Sequence, residues 1–137
     1  MKVTQVTVFL ENRSGRLAEV AEVLGRAGID IRGFSTTEAA EYGIVRLIVR
    51  EPEQARELLR RAGFTAQLSN VLCVRVPDEP GGLAAVLDEL AERGVEVEHL
   101  YSVTSRHICV AVSHIDRAVE MLSGRVGLLS TEELCNL

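Results

Sequence analysis

Shifted by 66 positions, the sequence matches itself. Gly15 falls on Gly81, Leu17 on Leu83, Ala18 on Ala84, Val20 on Val86, Leu24 on Leu90 and Gly28 on Gly94. Ile29 and Ile31 fall on Val95 and Val97, with Asp30 on Glu96 between them. Further along, the offset shrinks by two or three, so that Ile44 meets Ile108, Ala55 meets Ala118 and Leu59 meets Leu122. The shrinkage places a longer turn in the first copy, around Glu38-Ala39-Ala40-Glu41-Tyr42-Gly43. Self-similarity at a fixed spacing means one structural unit used twice.

Within each copy the hydrophobic period changes in the same order. Val6, Thr7, Val8, Phe9 and Leu10 suit a buried strand. From Gly15 to Ala27 the apolar positions Leu17, Val20, Ala21 and Leu24 lie three or four apart and make one helical face. Gly28 ends that helix. Residues 29–37 and 44–50 read as strands joined by a turn at Tyr42-Gly43. Pro52 opens a second helix with Ala55, Leu58, Leu59 and Ala62 inward, Gly63 closes it, and residues 64–68 form a last strand. The second copy predicts strands at 71–77, 95–103, 106–113 and 126–130, and helices at 81–93 and 115–123. Right-handed crossovers put both helices of a βαββαβ unit on one face of a four-stranded antiparallel sheet. The expected fold class is therefore α+β, two tandem ferredoxin-like domains at 1–68 and 71–137, joined by Ser69-Asn70 alone. Units this small bury too little surface to be robust singly. They are expected to pack on each other or in a homodimer.

The formal net charge of −5 disfavours nucleic acid and anionic membrane as partners, because phosphate binding needs clustered Lys and Arg. Tryptophan is absent and aromatic residues are too sparse for base stacking. Cys73, Cys109 and Cys135 are odd in number and form no C-x-x-C pair, so they read as buried reduced thiols. The sequence shows no signal peptide and no apolar run long enough for a membrane span, so a cytoplasmic location is expected.

The turn between first strand and first helix holds the densest chemical signal. It reads Glu11-Asn12-Arg13-Ser14-Gly15-Arg16-Leu17 in one copy and Pro77-Asp78-Glu79-Pro80-Gly81-Gly82-Leu83 in the other. A helix N-terminus offers unpaired backbone N–H groups and suits a carboxylate or phosphate. A glycine there lets a ligand approach the backbone. The alternative is structural: Asn12 and Asp78 cap their helices and the glycines serve a tight turn. Asp30 and Glu96, each at the start of a second strand, either hold an ammonium group or are solvated charges.

Enzyme chemistry finds little support. His99, His107 and His114 lack the spacing of a metal site, and there is no nucleophile elbow, P-loop or G-x-G-x-x-G. No cofactor is implied, and no catalytic residue.

Phe9-Leu10-Glu11-Asn12-Arg13-Ser14-Gly15-Arg16-Leu17, with Gly28-Ile29-Asp30-Ile31, resembles the opening half of an ACT domain. Val76-Pro77-Asp78-Glu79-Pro80-Gly81-Gly82-Leu83, with Gly94-Val95-Glu96-Val97, resembles it again in register. Tyr42 to Val49, followed by Glu51-Pro52-Glu53-Gln54-Ala55, resembles the later half in small tandem-ACT proteins that bind amino acids. The resemblance implies regulatory binding of a small molecule, an amino acid, where ACT domains pair through their edges. The first loop of one domain and the second strand of its neighbour would supply the contacts. Carried over, the ligand-binding candidates are Asn12, Arg13, Ser14, Gly15 and Leu17 in the first loop, and Asp78, Gly81, Gly82 and Leu83 in the second. Asp30, Glu96 and Tyr101 are the second-strand candidates. The acids at Asp30 and Glu96 depart from the family's usual Asn, and Ser14 departs from the Pro seen at Pro80, so the halves are not expected to bind equally. With no catalytic segment, the signal would pass to a partner such as an amino-acid metabolic enzyme, or through oligomeric state. The rival reading is an assembly module that binds no ligand.

Overall fold

A computed structural model describes residues 1–11, 13–38 and 41–137. Contacts divide the chain into two compact units, Thr4–Ser69 and Asn70–Leu137, the latter including Met1–Val3.

The N-terminal unit runs β1 (Val3–Glu11), α1 (Arg16–Arg26), β2 (Ile31–Glu38), β3 (Tyr42–Val49), α2 (Pro52–Arg61) and into β4 (Thr65–Arg75). Its strand order is β2-β3-β1-β4, with β1 and β2 each antiparallel to β3. Alternate strand residues Val6, Val8, Val45, Leu47 and Val49 meet Val20 and Leu24 of α1 and Ala55 and Leu59 of α2 in one buried cluster. Both helices therefore cover one sheet face, as the three-and-four spacing of their apolar residues requires. After α1 the Ile29 N–H reaches back to the Leu24 carbonyl at 2.9 Å, and after α2 the Phe64 N–H reaches the Leu59 carbonyl at 2.9 Å. These are the backward bonds that stop a helix.

The C-terminal unit repeats the plan with the latter part of β4, α3 (Gly82–Glu92), β5 (Val97–Thr104), β6 (His107–Val112), α4 (Ile115–Leu122) and β7 (Leu128–Leu129). β6 lies between β4 and β5, and β7 pairs with the other side of β4. Leu72, Val74, Ile108 and Val110 face Val86, Leu90, Ala118 and Leu122 in the second core cluster. Cys73 and Cys109 are register partners on the opposite sheet face, fully buried. A hydrogen bond with Cys73, reinforced by burial, pushes the Cys109 thiol up and keeps it protonated.

The structure departs from the sequence reading at three places. β4 runs unbroken from Thr65 to Arg75, through the Ser69-Asn70 step expected to separate two strands. Tyr42 and Gly43 lie inside β3, paired with Glu11 and Leu10, and are not a turn. A short helix, α5 (Thr131–Cys135), follows β7, held by a reciprocal capping box between Ser130 and Glu133. The expected long turn includes Ala39 and Ala40, which lie outside the described residues. The flanking registers account for the shrinking offset: Glu38 pairs with Gly43 in one hairpin, whereas Thr104 pairs with His107 in the other.

Candidate functional site

The two strand-to-helix turns are near copies. Gly15 has φ 86 and ψ −6, and Gly81 has φ 85 and ψ −6. The Arg13 N–H donates to the Glu11 carbonyl at 2.7 Å, and the Glu79 N–H donates to that of Pro77 at 2.9 Å. The next bond also repeats, from Arg16 N–H to Arg13 carbonyl at 3.4 Å and from Gly82 N–H to Glu79 carbonyl at 3.0 Å. A Cβ at Gly15 or Gly81 would meet nothing within 4 Å, so the left-handed backbone is what demands glycine there. Each glycine is itself the helix N-cap, with no side-chain cap bond. Asp78 therefore does not cap α3; it faces Arg106 at 3.9 Å. Asn12 lies outside the described residues.

Arg13, Gly15 and Leu17 line a hollow of about 170 Å³ with Thr36, Thr37 and Tyr42 of the β2–β3 hairpin. Ser14 sits on the exposed turn and is not among the lining residues. Gly82 is buried against Pro77, whose carbonyl oxygen an added Cβ would strike. Asp30 is exposed, pairs with Arg32 at 3.1 Å, and stands near Arg50 and Glu51. Glu96 borders a hollow of about 220 Å³ with Arg93, His114 and Arg117. Tyr101 is buried, pairs in register with Cys109, and stacks on His99 with ring centroids 6.4 Å apart.

Within one unit the loops and the acids are not brought together. Ile31 pairs with Val49 at one end of the β2–β3 ladder, whereas Glu11 pairs with Tyr42 at the other end of β3. Asp30 and the Gly15 turn thus lie at opposite ends of the sheet. Glu96 and Asp78 are separated likewise, because Val97 pairs with Val112 while Arg75 pairs with His107.

The family model for an ACT domain pair matches residues 1–131. The chain belongs to the ACT domain-pair family. A solved structure of a protein from Bacteroides thetaiotaomicron is 35% identical, covers 100% of this chain and 98% of its own, and superposes with a TM-score of 0.93. The ligand-free regulatory subunit of aspartate kinase from Thermus thermophilus shares the fold at 17% identity and a TM-score of 0.66, over 88% of this chain and 91% of its own. The corresponding subunit from Thermus flavus does so at 15% identity and 0.63, over 90% and 92%. No curated protein matches the sequence.

Each ACT domain carries apolar surface at its edge. β2 is the outer strand of the first and β5 the outer strand of the second. Phe34 of β2 is 66% exposed and Leu17 of α1 is 46% exposed, above an apolar groove of about 440 Å³ floored by Val20, Val45 and Leu47. Leu83, Val97 and Leu100 are exposed at the repeat-related positions of the second domain. Contiguous exposed apolar side chains of this kind mark an interaction surface.

Arg16 was not among the sequence candidates. It opens α1, lies with its guanidinium carbon 4.0 Å from the Phe64 ring centroid, and pairs with Glu19 at 2.6 Å and Glu11 at 3.8 Å. Its side chain is only 10% exposed, so the ring contact is largely shielded from water. Arg16→Gln is expected to lower the unfolding free energy by about 1–2 kcal/mol. An unchanged urea midpoint would show that the stack contributes nothing.

Burial, with Arg75 and Arg106 close by, holds the His107 imidazole below its ordinary pKa of 6.5. Its Nδ1 lies 2.8 Å from Thr104 Oγ1. The folded chain binds this proton less readily than the unfolded chain. The stability from the neutral ring is complete above the ordinary pKa and is lost as pH falls through it toward the folded value. Between about pH 7.5 and 5.5, stability is therefore expected to fall further in the native protein than in His107→Gln. Equal losses in the two proteins would refute the assignment.

Proposed function

We propose that this chain is a non-catalytic, cytoplasmic regulatory protein that binds an amino acid at an interface between ACT domains. Its domains are taken as 1–68 and 71–137. The observation that carries this reading is the pair of superposable left-handed turns. Each presents a helix N-terminus at an open glycine, and the first borders a hollow suited to a small carboxylate. The fold is shared with regulatory subunits of aspartate kinase, which supports regulation as the output.

The separation of loop and acid within one domain supports a shared site. Two sheets joined antiparallel through their outer strands set the loop end of one against the second-strand start of the other. In such a pair Arg13, Ser14, Gly15 and Leu17 meet a neighbour's strand start, as do Asp78, Gly81, Gly82 and Leu83. Asp30, Glu96 and Tyr101 are then contributed from across the seam, the acids receiving the ammonium group. Leu17 and Phe34, with Leu83 and Leu100, supply the apolar contact that a homodimer needs. Occupancy favours one arrangement of domains or chains by the difference in ligand affinity between them. The signal then passes to a partner enzyme or through oligomeric state.

Thermal unfolding in the presence of each common L-amino acid tests the ligand. One present at a hundred times its dissociation constant adds about 2.7 kcal/mol of stability, a shift of roughly several degrees. Asp30→Ala is expected to shrink that shift. A panel in which no amino acid moves the midpoint leaves an assembly module as the surviving reading.

The seam has its own test. Phe34→Glu places a charge on the apolar groove and is expected to convert the dimer to monomer in sedimentation velocity. A native protein that is already monomeric at micromolar concentration would remove the edge pairing.

A further inference from the structure

The two ACT domains differ where Arg16 sits. The repeat aligns Arg16 with Gly82 and Glu19 with Ala85, each counted from the left-handed glycine that opens its helix. In the first domain the Arg16–Glu19 pair and the Phe64 ring fill the space beside the first turns of α1. In the second domain both side chains are cut back to a hydrogen and a methyl group. Of these two positions Ala85 borders a cleft of about 680 Å³, lined by α3, the start of the loop before it and the segment leading into β7. That volume is in the range of small-molecule sites, about 300–1,000 Å³.

Its chemistry is mixed and balanced. Val76, Val86 and Val126 give it apolar wall. Three arginines and three carboxylates line it: Arg75, Arg106 and Arg125 against Asp78, Glu79 and Glu89. Two of the pairings are loose: Arg106 stands 3.9 Å from Asp78, and Arg125 stands 3.9 Å from Glu89. Hydrogen-bonded pairs are shorter, as Arg93 to the same Glu89 oxygen shows at 3.0 Å. Arg106, Asp78 and Arg125 are more than half exposed and Glu89 is also held by Arg93, so the cleft sets solvated guanidinium groups beside carboxylates within reach of a ligand. A strongly anionic ligand would face the carboxylates, and a cation would face the arginines.

We propose that this cleft in the C-terminal domain is a second small-molecule site that takes a zwitterionic α-amino acid with an uncharged side chain. The ligand carboxylate lies toward Arg106 and Arg125, its ammonium toward Asp78 and Glu89, and its side chain on the valines. The class of ligand rests on the amino-acid reading above as well as on the charge balance; the cleft shares Asp78 with the seam reading but none of Asp30, Gly81 and Leu83.

Calorimetric titration of the full-length protein with each common L-amino acid tests this, with two variants. Ala85→Glu restores the first domain's residue at an exposed helix position and obstructs the cleft. Arg125→Gln removes one guanidinium. Neither residue is in the buried core, and an unchanged unfolding midpoint without ligand confirms that each variant folds. Both are expected to weaken binding, or to abolish one of two binding events, by at least about tenfold. Native-like binding in both, with loss in Asp30→Ala, would overturn the cleft and leave the seam reading standing. Absence of binding to the native protein would overturn both.

Discussion

The chain must leave a strand and enter a helix within four residues in one copy and six in the other, and it does so through one left-handed residue each time. Gly15 and Gly81 agree within a degree in φ and ψ, and the hydrogen bonds before them repeat one for one. That turn sets the phase of the helix that follows. Because α1 starts at Arg16, Val20 and Leu24 face the sheet; because α3 starts at Gly82, Val86 and Leu90 do. A residue with a Cβ would strain the turn, and a shifted helix start would rotate the apolar stripe off the core. The same turn leaves the first N–H groups of the helix at an open end of the sheet. Core packing and candidate binding surface therefore depend on one backbone conformation.

Much of this was legible because it is local. Helical spacing, alternation and the glycine after each helix act over a few residues, and the repeat doubles every signal. What escaped depends on context. Ser69 and Asn70 have turn chemistry, yet both sit at exposed positions of β4, where continued pairing satisfies the backbone better than a turn. α5 is too short to show an apolar period, although Ser130-Thr131-Glu132-Glu133 is a capping-box signature. Of the site, the two glycine turns could be read directly. The Arg16–Phe64 stack could not, because it joins a helix start to the residue just before a distant strand. Its trace in the sequence is a mismatch: Arg16 against Gly82, between the matched pairs Gly15–Gly81 and Leu17–Leu83.

The placement of the acids constrains how such a protein can work. Asp30 and Glu96 occupy equivalent positions, and each is a sheet length away from the turn of its own domain. A ligand small enough for the turn cannot touch both within one domain. If both groups serve one ligand, binding requires two domains side by side, and ligand and assembly become linked equilibria. In that case the apolar edge at Leu17 and Phe34 would provide association without ligand, and the polar ends of the strands the dependence on ligand.

The repeat keeps what the backbone demands and relaxes what fills space. Positions that set the turn or face the core match across the copies, whereas Arg16 and Glu19 give way to Gly82 and Ala85. Gly82 is not merely a smaller filler. The Pro77 carbonyl lies where its Cβ would be, so the second turn has closed onto a backbone that excludes any side chain at that position. The first turn instead carries Arg16, whose guanidinium is held by Glu19 and the Phe64 ring. One domain thus satisfies the space beside its helix with its own ion pair, while the other leaves it open and lined by opposed charges. Arg106, Asp78 and Arg125 are more than half exposed, so the cleft sets solvated charges of both signs side by side, an arrangement that matches a ligand bearing both signs.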